Sequence, residues 1–76
     1  MPRQRSDHLT DRQEKIARFI REWIADKGEY PTLSDIGAAM GFSARSSVHY
    51  QLQQMEQLGA VMRAKEGRRS VYRPMT

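Results

Sequence analysis

Apolar positions repeat along this chain with a helical period three times, and then the period changes. Ile16, Phe19, Ile20, Trp23 and Ile24 stand at i, i+3, i+4, i+7 and i+8, the stripe of a helix with one buried face. Ahead of them Thr10 and Gln13 have the spacing of a capping box, in which the threonine hydroxyl accepts from the third amide and the glutamine reaches back. Gly28 supplies the stop. The pattern predicts a helix over 11–27, with Phe19 and Trp23 as packing residues. Pro31 then pushes Tyr30 into an extended conformation, and Thr32 with Asp35 repeats the capping spacing. A short helix is expected over 33–40, with Leu33, Ile36 and Met40 inward and Gly41 as its left-handed terminus. Gly37 and Ala38 are small, as a close helix crossing requires, and Phe42 is expected to fill the corner.

Val48, Leu52, Met55 and Leu58 follow at spacings of four, three and three, which predicts a third helix over 44–58. Ser43 is its expected cap and Gly59 its end. Beyond Gly59, "AVMR" and "SVYR" are short runs with β-branched or aromatic residues, separated by "AKEGR" with a glycine for the turn. That reads as a two-stranded hairpin with Val61 and Val71 inward. Two helices joined by a short glycine-containing turn make a helix-turn-helix, and the hairpin after it adds a wing. The fold class expected is mainly α with a small β hairpin, a three-helix winged helix-turn-helix over 9–76. Residues 1–8 read as a flexible basic arm.

The third helix has an unusual exposed side. Opposite its apolar stripe stand Ser46, Tyr50, Gln53 and Gln57, all uncharged hydrogen-bonding groups, where a surface helix normally carries Glu and Lys. The charge lies elsewhere. Residues 1–62 hold eight basic and eight acidic side chains; residues 63–76 hold Arg63, Lys65, Arg68, Arg69 and Arg73 against Glu66, so the whole net charge of +4 sits in the last fourteen residues. A solvated basic turn is the plain alternative; a surface for phosphates is the sharper one.

Other chemistry is poorly supplied. Seventy-six residues make one domain. There is no cysteine, so neither disulfide nor thiolate chemistry is available. His8 and His49 are far apart without carboxylates at ligand spacing, and Ser46 and Ser47 have no base–orienter arrangement nearby. No metal, no cofactor and no catalysis are expected. Apolar runs fall far short of the ~18 residues of a membrane span, and "MPRQRSDH" has no signal-peptide core, so a cytoplasmic, nucleoid-associated location without membrane contact is expected.

"LT-x-RQ" opening the first helix, "G-x-x-PT-x-x-x-I" leading into the second, "GF" at the turn, "SSVH-x-x-L" in the third and "LG-x-V" before the wing together resemble the N-terminal DNA-binding domain of LexA-type repressors. The resemblance covers residues 9–63; the wing "KEGRRSVYRP" matches only in being basic. It implies a winged helix-turn-helix whose third helix enters the major groove of double-stranded DNA. Ser46, Ser47, His49 and Tyr50 match base-reading or groove-lining positions, with Gln53 one turn later, and Ser43 and Arg45 match phosphate-contacting ones. From the wing, Lys65, Arg68 and Arg69 are expected on phosphates or in the minor groove. Arg3 and Arg5 are weaker candidates of the same kind. The family's full-length members continue into a self-cleaving domain with a serine–lysine pair, and no counterpart is expected within these residues. The function expected is transcriptional regulation, most simply repression by occlusion, on an inverted-repeat operator with weak homodimer pairing on DNA. The rival expectation is a winged-helix module that docks another protein.

Overall fold

The computed structural model describes residues 9–75; the arm expected over 1–8, with Arg3 and Arg5, lies outside them. Three helices come first, α1 (Asp11–Lys27), α2 (Leu33–Met40) and α3 (Arg45–Gln57). An antiparallel hairpin of β1 (Val61–Glu66) and β2 (Arg69–Pro74) follows. The molecule is a mainly helical winged helix.

Both capping boxes form. Thr10 Oγ1 accepts from the Gln13 amide at 3.1 Å while the Thr10 amide donates to Gln13 Oε1 at 3.1 Å. Thr32 and Asp35 do the same at 3.1 and 2.9 Å. Each box satisfies two amides near a helix start, an arrangement worth about 1 kcal/mol. This is why α1 and α2 start where the spacing predicts.

The start of α3 is different. Phe42 N–H turns back to the Gly37 carbonyl at 3.0 Å, completing α2. The extended conformation that precedes a helix then falls on Ala44, not Ser43, and Ala44 has no side-chain acceptor. Ser43 therefore does not cap α3. The far end also departs from expectation. Leu58 is 44% exposed, because α3 has by then run past the core that holds Val48, Leu52 and Met55. Ala60 N–H donates to the Met55 carbonyl at 2.9 Å and directs the chain into β1.

The hairpin is longer than expected. Pairing runs from Val61↔Pro74 to Glu66↔Arg69, so Ala64, Lys65 and Glu66 belong to β1 and only Gly67 and Arg68 make the turn. Gly67 takes φ 63°, the left-handed value that two-residue hairpin turns favour. The second strand is held on its other edge too: Tyr72 N–H donates to the Pro31 carbonyl at 3.0 Å, and Thr32 bridges to Val71.

The core joins Ile16 and Ile20 of α1, Leu33 and Ile36 of α2, Val48, Leu52 and Met55 of α3, and Val61 and Tyr72 of the wing. Val71 is buried as expected, on the opposite face of β2 from Tyr72. Phe19, Met40 and Phe42 are half-buried against the core. Trp23 stands at its margin instead, tilted against Phe19 at 5.6 Å with the Lys27 ammonium 4.9 Å from its ring. Gly37 is buried at the α2–α3 crossing, whereas Ala38 is exposed and takes no part in it. Gln13 is a polar side chain buried inside: its Nε2 donates to Gln51 Oε1 at 3.0 Å, tying the start of α1 to α3.

Candidate nucleic-acid interface

With α3 held by Val48, Leu52 and Met55, the position of every other side chain on it follows from about 100° per residue. Ser46, Tyr50, Gln53 and Gln57 fall opposite the buried stripe, and all four are exposed. Tyr50, at 57%, is the most exposed large hydrophobic side chain of the helix, and its hydroxyl accepts from Gln54 Nε2 at 3.0 Å. Arg45 and His49 flank this face on one side. Ser47 and Gln51 flank it on the other.

The Arg45 side opens onto the wing. A cleft of about 500 Å³ lies between the start of α2, α3 and the hairpin, with Arg45, His49, Arg63, Arg68, Arg69 and Tyr72 in its walls. Strand parity explains why Arg63 is there. It shares a face with buried Val61 and stands opposite Tyr72, so it follows the apolar pair toward α3. Arg45 is positioned by its neighbour in space, Nη1 donating to Ser34 Oγ at 2.8 Å. Among the described residues no carboxylate lies within ion-pair distance of Arg45, Arg63, Arg68 or Arg69, the one close pair being Lys27 with Asp26. Burial pushes the Tyr72 hydroxyl above its ordinary value, against the opposing pull of the nearby Arg63 charge. At neutral pH it is a neutral donor in a cationic wall.

The Ser47 side opens onto a second cleft, also about 500 Å³, which includes Arg12, Phe42, Ser43, Ser46, Ser47 and Tyr50. Here Arg12 of α1 lies with its guanidinium 5.0 Å from the centre of the Phe42 ring.

Of the residues singled out from the sequence, Ser46, Tyr50 and Gln53 share the central face. Arg45, His49, Arg68 and Arg69 converge in the wing cleft, and Ser43 and Ser47 in the other. Lys65 does not line either cleft, although it lies on the same face of the hairpin as Arg63. Arg63, which the sequence presents only as charge, and Arg12 and Ser34 join the cleft residues in the folded structure. The parity of "VMR" after Val61 is the available signal for Arg63, and Arg12 stands in the "LT-x-RQ" motif, whereas nothing local marks Ser34.

A cationic wing beside an uncharged helix face fits more than one kind of partner, and comparison with known proteins narrows it. Residues 6–70 match the LexA DNA-binding domain. The chain belongs to that family. The LexA repressor of Bifidobacterium longum (strain DJO10A) is 43% identical over 70 residues, covering 88% of this chain and 29% of the relative. That of Streptomyces coelicolor is 40% identical over 58 residues, covering 76% and 25%. Brevibacillus brevis has a LexA repressor 40% identical over 55 residues, covering 72% and 27%. This LexA-type domain thus spans little more than a quarter of the length of these relatives. Among solved structures, the ferric uptake regulator of Francisella tularensis, determined with iron, superposes with a TM-score of 0.65 over the whole of this chain and 59% of that one. At 17% identity that likeness is one of fold. No helix among the described residues is long and apolar enough to cross a membrane.

Proposed function

We propose that this LexA-type domain binds double-stranded DNA sequence-specifically in the cytoplasm and represses transcription by occupying a promoter. One observation carries the reading: the uncharged face of α3 lies directly beside a cleft whose arginines have no carboxylate within ion-pair distance among the described residues. Ser46, Tyr50 and Gln53 present donors and acceptors suited to base edges, and glutamine pairs bidentately with adenine. Carboxylates on that face would repel the flanking phosphates. Arg45, Arg68 and Arg69 of the cleft, joined by Arg63, supply charge for the backbone, and so most of the affinity. The domain performs no chemistry on the DNA; its effect is occlusion. A protein-docking role would have to rest on two separated apolar groups, Tyr50 on α3 and Leu58 just past its end, rather than on a continuous apolar patch.

Selection of bound duplexes from a random pool, followed by titration at several salt concentrations, tests the reading. The expected result is an enriched motif with affinity falling at a log–log slope of about −0.9 per phosphate contacted. Salt-independent binding, or no duplex recovered at any salt, would refute it.

A further inference from the structure

Resting on the DNA-binding reading, we infer that Arg12, laid over the Phe42 ring at the start of α1, grips the DNA strand on the far side of the groove from the wing. The wing cleft accounts for only one flank of α3. A helix lying in a major groove about 12 Å wide has a sugar–phosphate backbone along each side. On α3, Ser47 and Gln51 are rotated roughly 200° from Arg45 and His49 at about 100° per residue, and the cleft they border is the one that holds Arg12.

Three features make Arg12 more than a stray surface charge. Asp11 and Glu14 share its helical turn, yet neither lies within ion-pair distance of its guanidinium among the described residues. The guanidinium is held by the Phe42 ring at 5.0 Å. Contact with a ring face restrains the group and leaves its N–H donors free for a phosphate, which a carboxylate partner would not. Its place relative to α3 is also set rigidly. The next residue, Gln13, is fully buried, accepts from the Thr10 amide and donates to Gln51 on α3. A buried bridge of this kind resists sliding, because any displacement strands a polar group away from water. The Ser43, Ser46 and Ser47 hydroxyls beside Arg12 offer further neutral donors to the same anion. The reading helix is therefore flanked on both sides, with the wing arginines on one strand and Arg12 on the other.

The test compares the wild-type domain with Arg12→Ala, Arg12→Gln and Phe42→Leu, each titrated on the selected duplex and on random duplex over a range of salt. Arg12→Ala and Arg12→Gln are expected to weaken both substrates alike by roughly tenfold and to flatten the salt slope by about one unit per copy bound. Phe42→Leu keeps the charge and loosens its support, so it weakens binding with the slope nearly unchanged. Phosphate ethylation interference locates the contact: the wild type is expected to be sensitive on both strands, and Arg12→Ala to lose sensitivity on the strand opposite the wing. Thermal melting of Arg12→Ala should match the wild type, since the side chain is exposed. Unchanged affinity and slope in the Arg12 variants overturn the inference while leaving the DNA-binding reading intact. So does lost interference on the wing's own strand. A wild-type domain that binds no duplex overturns both.

Discussion

Gly37 shows how narrow the tolerance is where the two helices of the helix-turn-helix cross. A Cβ built there would lie 3.0 Å from Val48 Cγ2. Valine in a helix has one strongly preferred rotamer, and Val48 is buried, so it has little room to yield. Alanine would gain about 1 kcal/mol of helix propensity against an overpacking cost of about 1–3 kcal/mol. Gly37→Ala is therefore expected to be mildly destabilising. Val48→Ala should cost less in that background than alone, with a coupling of at least about 0.5 kcal/mol in a double-mutant cycle by chemical denaturation; additive effects would contradict the crossing contact. Tyr72 yields a pH prediction. Its hydroxyl titrates above the ordinary value of 10.0 because burial disfavours the phenolate. A raised value means that the neutral form is favoured by folding, so its stabilisation is intact below about pH 10 and lost as pH rises through the folded-state value. Between about pH 9 and about pH 11, bracketing the reference near 10, the wild type should lose more stability than Tyr72→Phe in paired urea titrations. Equal losses would show that the phenol is not the group responsible.

At the scale of elements, the proposed DNA binding divides the work between α3 and the wing. Gln53→Ala or Ser46→Ala should cost about 1–3 kcal/mol on the preferred duplex if each reads a base, and little on random DNA. Arg68→Ala with Arg69→Ala should weaken both substrates by similar factors and flatten the salt slope by about one unit per lost phosphate contact. Titrations on both duplexes at matched salt decide it; the opposite pattern would make the wing the reader. The elements also differ in how far their sequences announced them. The starts of α1 and α2 were legible because a capping box is a contact between residues three apart. The start of α3 was not, since Ala44 carries no capping group and the position follows from how α2 closes. Strand lengths are not legible locally, because Ala64, Lys65 and Glu66 become strand only through partners across the hairpin. The central face of α3 was readable from the helical period alone. Its flanks were not: Arg63, Ser34 and Arg12 come from three separate elements, and only tertiary packing brings them to α3.

For the whole molecule, the question is how much sequence one copy can read. A single module with one helix in the groove contacts few base pairs, too few to single out a site in a genome. Two copies on an inverted repeat, their α3 helices about one helical turn or more apart, would supply the missing information. Pairing between these domains free in solution is expected to be weak and promoted by DNA. Analytical ultracentrifugation with and without the selected duplex measures this; a tight dimer without DNA would contradict the expectation, and so would selected sites lacking two related halves.

The wing is fastened at its base and free at its tip. Pro31 and Thr32 hold β2 at Tyr72 and Val71, and Val61 and Tyr72 are sunk in the core, while the turn at Gly67 and Arg68 touches neither anchor. The reach of the hairpin is thus separable from the stability of the domain. Residues added at the turn lengthen a loop whose closure entropy grows only slowly, by roughly 0.6 kcal/mol per doubling. Descendants of this sequence are free to acquire longer or differently charged wings, and so new spacings along DNA, without retuning the helix proposed to read it.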